Sequence, residues 1–167
     1  PANPFTRVNF ERRMFETMGV GCWTGGRGPS LLLLHGSGPG ASSIGNWRTI
    51  IDALAQDHHV LAIDLIGFGA SDRKPAAPYF DFPLWLRQAQ WALDQMAADR
   101  VTILGHSISA ALALKLAAMD ARVVKVATTG AMGAAMQVNP FLDSVWRCPP
   151  DRAAMTAAAR VLIHDPK

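Results

Sequence analysis

Hydrophobic residues gather in four short, almost continuous runs: Leu31–Leu34, Val60–Leu65, Val101–Leu104 and Val123–Ala127. Runs that are apolar on both faces suit strands of a parallel sheet covered on both sides, and three of the four carry β-branched residues. Between them the apolar positions return at helical spacing. Trp47, Ile50, Ile51 and Leu54 stand at i, i+3, i+4 and i+7, and Trp85, Ala89, Ala92, Leu93 and Met96 repeat the stripe. From Ile108 to Met119 every position except Ser109 and Lys115 is apolar. That predicts a helix buried nearly all round, as a central crossover helix would be. Alternating strands and helices predict an α/β layered architecture with a mostly parallel sheet. Ahead of the first run, Phe10 to Trp23 is interrupted by Gly19 and Gly21 and has room for one or two short antiparallel edge strands.

The pattern changes after Thr129. Gly130 and Gly133, a series of alanines and methionines, Asn139-Pro140 and Pro149-Pro150 punctuate the chain, and no further strand-like run follows. Asp151 after Pro150 is placed to cap a helix in which Arg152, Thr156 and Arg160 lie opposite Met155, Ala159, Leu162 and Ile163. Residues 1–129 are expected to form part of a core and residues 130–167 the beginning of a helical lid.

Composition narrows the partners. With 167 residues, 50% hydrophobic and 17% charged, the chain has the size and apolar content of one globular domain and is not disordered. Its apolar runs fall far short of the ~20 residues of a membrane span. Pro1-Ala2-Asn3-Pro4 lacks the basic-then-apolar order of a targeting segment, so the cytoplasm is the expected compartment and no membrane partner is expected. The net charge of +3 reflects scarce acids, Glu11 and Glu16 being the only glutamates, and not a basic cluster. Nucleic acid is therefore not an expected partner. Cys22 and Cys148 read as free thiols. No His, Cys, Asp or Glu grouping has metal-ligand spacing, and neither a metal nor an organic cofactor is expected. The expected partner is a small-molecule substrate; the sequence leaves homo-oligomerisation open.

Gly105-His106-Ser107-Ile108-Ser109 lies between the run Val101–Leu104 and the helix starting near Ile108. The triplet Gly-x-Ser alone says little. With 14 glycines and eight serines it should occur about 0.7 times by chance, and it occurs four times. Only at Ser107 does it follow an apolar run and open an apolar helix. A sharp strand-to-helix turn with small residues on either side of the serine lifts its hydroxyl above the sheet edge, the arrangement of a nucleophile elbow; the alternative is a serine that merely caps the helix. The second feature is Leu34-His35-Gly36-Ser37-Gly38-Pro39-Gly40, a strand entering a glycine-rich loop whose N–H groups can meet an oxyanion. A phosphate loop would need Gly-Lys-Ser/Thr, which is absent, and the glycine spacing does not fit a dinucleotide fingerprint.

These residues resemble the α/β-hydrolases, and within them the meta-cleavage-product hydrolases that break carbon–carbon bonds in aromatic degradation. The resemblance is carried by His35-Gly36-Ser37-Gly38-Pro39-Gly40, Asn46-Trp47-Arg48, Asp64-Leu65-Ile66-Gly67-Phe68-Gly69 with Ser71, the Ser107 elbow, and Phe141-Leu142-Asp143-Ser144-Val145-Trp146. It implies an α/β-hydrolase fold with flanking helices and the start of a helical lid. It also implies Ser107 as nucleophile, the amides of Ser37 and Ile108 as oxyanion hole, and Gly38, Asn46 and His106 near the substrate, with Leu142 and Trp146 lining the distal pocket. Asn46 has an alternative as a cap for the helix opened by Trp47, and Leu142 and Trp146 as ordinary lid core. The implied activity is hydrolysis of a 2-hydroxy-6-oxo-hexa-2,4-dienoate; an ester hydrolase of the same fold and a non-catalytic scaffold are the alternatives. This chain departs from the family by having His106 before the serine, where Asn is usual, and Ser109 two residues after it, where Gly is usual. The family's triad runs Ser, then Asp or Glu, then His. His164, with Asp143 or Asp151, is a weak source for the last two, so a part about a hundred residues long, beyond these, is expected to supply them.

Overall fold

A computed structural model describes residues 5–132, 139–149 and 151–162. The chain divides into two compact units, Pro1–Gly133 and Ala134–Lys167. In the first, β1 (Val8–Phe15) and β2 (Met18–Gly25) form an antiparallel hairpin. β3 (Ser30–Leu34), β4 (His59–Ile63), β5 (Val101–His106) and β6 (Val123–Thr129) are mutually parallel. The sheet has six strands in the order β1-β2-β4-β3-β5-β6, with β2 antiparallel to β4. Each of the four apolar runs is thus a parallel strand, and the Phe10–Trp23 segment supplies the antiparallel pair.

The two-residue period of a strand divides the leucines of β3 between two cores. Leu32 and Leu34 pack with Leu61, Ile63, Trp85, Leu93 and Leu112 on one face. Leu31 and Leu33 pack with Trp23, Trp47, Ile51 and Val60 on the other. Each fully buried leucine contributes about 1.5–3 kcal/mol, and β3, apolar on both faces, buries both of them between two helical layers. α1 (Ser43–Trp47) and α2 (Ile51–Asp57) cover the second face; α3 (Phe82–Met96) and α4 (Ser109–Met119) cover the first.

Three expectations need correction. The helix expected across Trp47–Leu54 is two helices. Ser42 caps α1 by accepting the Gly45 N–H, and the chain breaks around Arg48–Ile50 before α2. Trp47 and Ile51 still reach one core, whereas Ile50, at the break, is exposed. α4 is not buried all round. Ala110, Leu112, Ala113 and Leu116 face the sheet and α3, while Leu114 (54% exposed) and Met119 (60%) lie on the outward face. Nor is β6 covered on both sides among the described residues: last in the order of these six strands, it exposes Val124, Lys125 and Ala127.

The second unit contains α5 (Pro140–Trp146) and α6 (Arg152–Leu162). The Asp151 carboxylate accepts the Ala154 N–H at 2.8 Å and caps α6, as the sequence predicts. No described helix is long and apolar enough to cross a membrane.

Candidate active site

β5 ends at His106 and α4 begins at Ser109. Ser107, between them, has φ +56°, in the left-handed region where a residue with a side chain is strained. Hydrogen bonds from neighbouring segments hold it there. Its N–H donates to Thr129 O (3.0 Å), and its carbonyl accepts from the N–H groups of Ala110 (3.0 Å) and Met132 (3.1 Å). The sequence permits the turn because its neighbours are small. A Cβ on Gly105 would stand 2.5 Å from Ser109 O, and one on Gly36 would stand 3.1 Å from the Ser107 Cβ. The loop after β3 therefore runs directly against the elbow. The Ser107 hydroxyl donates to Met132 Sδ at 3.3 Å.

The loop is oriented by the buried ring of His35. The Leu65 N–H donates to its Nε2 at 2.9 Å, so Nε2 carries the lone pair and Nδ1 carries the hydrogen, which it donates to Gly36 O at 2.6 Å. In a trans peptide the carbonyl and the following N–H point opposite ways, so fixing Gly36 O turns the Ser37 N–H away from the ring. Asn46 Oδ1 accepts the Gly36 N–H at 2.9 Å. Beneath the loop, the buried Asp64 carboxylate accepts from Ser43 N–H (2.6 Å) and Ala70 N–H (2.8 Å), while its backbone carbonyl accepts from Ser71 Oγ and Gln88 Nε2.

Burial holds the His35 pKa below the usual imidazole value, and protonation would destroy the acceptor that Leu65 uses. A group neutral in the fold but free to protonate when unfolded contributes stability above the unfolded imidazole value, about 6.5, and that contribution is lost as pH falls below it. Denaturant unfolding at pH 7.5 and 5.5 should show the chain losing stability towards acid, at no more than about 1.4 kcal/mol per pH unit for this one proton. His35→Asn should have the shallower dependence; equal slopes would exclude His35 as the source.

The other residues singled out by the sequence are placed as follows. Ser37 is half-buried and Gly38 exposed on the loop, and Ile108, half-buried, is the N-cap residue of α4. Asn46 does not cap a helix opened by Trp47: it lies inside α1, which Ser42 caps, and its side chain serves Gly36. His106 Nδ1 lies 3.1 Å from Thr129 O and 2.9 Å from Thr129 Oγ1, with the other edge of the ring beside Gly36. Asp151 is engaged as the cap of α6 and Asp143 pairs with Arg147. The side chains of Leu142 and Trp146, and all of His164, lie outside the described residues. Cys22 and Cys148 are free thiols, and burial pushes the Cys22 thiol up to about 12. Among the described residues no group of His, Cys, Asp or Glu side chains is placed to hold a metal ion.

Two clefts share Gly67, Phe68 and Arg73, and one of them borders the loop. One of about 520 Å³ lies between Pro39–Ser42 and Gly67, Phe68, Gly69, Ser71 and Arg73. Another of about 480 Å³ is lined by Phe68, Arg73, Tyr79, Phe80 and Trp85. Ser107 lines neither. Sequence reasoning missed Thr129 and Met132, which fasten the elbow from the end of β6. The signal was the change from apolar to Thr128-Thr129-Gly130 at the end of a strand predicted to lie in the same sheet.

The sequence profile described as the α/β-hydrolase fold matches residues 29–165. The chain belongs to the α/β-hydrolase family. Among curated α/β-hydrolase relatives, the 2-hydroxymuconate semialdehyde hydrolase of Pseudomonas sp. is 33% identical over 84% of this chain and 50% of its own length. The 2-hydroxy-6-oxo-2,4-heptadienoate hydrolase of Pseudomonas putida is 35% identical over 84% and 51%. Among solved structures, the 2-hydroxy-6-oxo-6-phenylhexa-2,4-dienoate hydrolase of Rhodococcus sp. superposes with a TM-score of 0.73 at 31% identity, covering 83% of this chain and 52% of that one. A meta-cleavage product hydrolase of Pseudomonas fluorescens, in a serine-to-alanine mutant complexed with acetates, gives 0.81 at 27% identity, covering 90% and 55%. This α/β-hydrolase chain thus spans about half the length of the curated relatives it matches.

Proposed function

We propose that the whole protein hydrolyses a carbon–carbon bond in a 2-hydroxy-6-oxo-hexa-2,4-dienoate, with Ser107 as the nucleophile. The observation that carries this reading is the φ of +56° at Ser107, on a strand-to-helix turn whose backbone is held from β6 and crowded by Gly36. Strain maintained by surrounding hydrogen bonds is characteristic of positions where a side chain must be presented for chemistry. The similarity to dienoate hydrolases supports the choice of substrate class.

In this reading the dienol first becomes the keto tautomer, its hydroxyl proton moving to C5. The Ser107 hydroxyl then adds to the C6 carbonyl and gives its proton to a base, and the amides of Ser37 and Ile108 receive the developing oxyanion. The bond between C5 and C6 breaks, its electron pair passing through the conjugated chain to O2, which takes the proton back from the base; this releases 2-hydroxypentadienoate and leaves an acyl-serine that water hydrolyses to the carboxylic acid. Each oxyanion donor lowers the barrier by about 2.7–4 kcal/mol. Asn46 contributes by holding the Gly36 N–H, and Gly38 and His106 border the substrate. A serine needs a base, and the Ser107 hydroxyl meets the weakly accepting sulfur of Met132. His35 has both ring nitrogens engaged. Neither group serves as that base in this reading, and the triad order of the family places its acid and its histidine after the serine.

The test is loss of the dienoate's visible absorbance on addition of the whole protein. Cleavage of p-nitrophenyl esters without cleavage of the dienoate would move the assignment to an ester hydrolase, and Ser107 that reacts with neither substrate class would refute it.

A further inference from the structure

The oxyanion amides assigned above belong to separate elements, Ser37 to the loop after β3 and Ile108 to the turn after β5. Their spacing must be held to a fraction of an ångström, because misplacement by about 1 Å can cost 10²-fold in rate. The β3–β5 ladder ends at the pair Leu34 and Gly105. Beyond it the backbone pairing stops: the Ser107 N–H donates to Thr129 on β6, on the far side from β3. Just past the end of that pairing the hydroxyl of Ser109 donates to His35 O at 2.5 Å, across 74 positions of sequence, from a residue with 0% exposure. A serine in the first turn of a helix ordinarily bonds locally to its own helix. Here the N-terminus of α4 has no side-chain cap, and the hydroxyl reaches across to the other oxyanion element. His35, which receives it, is also the residue whose ring fixes Gly36 O.

We propose that Ser109 is a positioning residue that sets the distance between the Ser37 and Ile108 amides, taking up where the β3–β5 ladder stops. The inference rests on the functional reading above. It explains why a hydroxyl is accommodated at a point so crowded that Gly105 can carry no Cβ.

The experiment compares the whole protein with its Ser109→Ala and Ser109→Gly variants. It measures kcat and KM on the dienoate and the rate at which a fluorophosphonate labels Ser107. In labelling, Oγ bonds to phosphorus, fluoride leaves with the proton, and the phosphoryl oxygen occupies the same pair of amides. Rates are taken per folded molecule, from thermal unfolding of each variant. Both variants are expected to lose about tenfold in kcat and in labelling rate, with KM changed by less than about twofold. The glycine variant keeps the test available if alanine does not fold. Variants that lose thermal stability but keep kcat and labelling per folded molecule overturn the proposal and leave Ser109 a packing residue. An unmodified protein inert to both reagents overturns the functional reading and this inference with it.

Discussion

Ser107→Ala is expected to lower kcat on the dienoate by about 10⁴-fold or more, the scale at which loss of a nucleophile leaves only binding and oxyanion stabilisation. The companion substitution separates chemistry from folding. A non-glycine residue in the left-handed region costs on the order of 1–3 kcal/mol, and Ser107 sits there at φ +56°. Ser107→Gly should therefore abolish turnover and at the same time raise the midpoint of thermal unfolding, whereas Ser107→Ala keeps the strain. Measured together, the pair distinguishes a serine retained for reactivity against its conformational cost from one retained for stability. Turnover surviving in either variant refutes Ser107 as nucleophile.

The second large effect is expected at Gly105. Its Cβ position is 2.5 Å from Ser109 O, 2.8 Å from Ser109 C and 3.0 Å from Ala110 N. All are backbone atoms of the first turn of α4 and cannot rotate aside as a side chain would. Gly105→Val has to push the helix off the strand, with a destabilisation of about 3 kcal/mol or more. Because the displaced turn carries Ser107, Ile108 and Ser109, phosphonate labelling should fall along with the urea midpoint. A stable Gly105→Val variant with unchanged labelling would mean that strand and helix are not in contact there.

Much of the core was legible because its physics is local. Runs such as Leu31–Leu34 are apolar on both faces, which suits a doubly covered strand, and the stripe from Trp85 to Met96 fits one helical face. The elbow was legible because small residues follow a strand and open an apolar helix. What escaped depends on distant partners. Apolarity at Leu114 and Met119 said nothing about which side of α4 a second helix would cover, and the hydropathy of Val123–Ala127 could not show which of its faces these residues would leave bare. The sequence marked Ser109 only as a departure from the family's usual Gly; that its hydroxyl answers His35 depends on two strands ending at the same height. Asn46 read as a substrate contact or a cap, and its bond to Gly36 follows from how α1 lies beside the loop.

Asp64 is a junction at which four separate parts of the chain meet. Through its carboxylate, carbonyl and amide it joins β2 at Gly21, the start of α1 at Ser43, the turn at Ala70 and Ser71, and α3 at Gln88. Damage to any member of such a junction already forfeits much of what the others supply, so the costs of substitutions at Ser43, Ser71 and Gln88 should overlap when combined and sum to less than the separate losses.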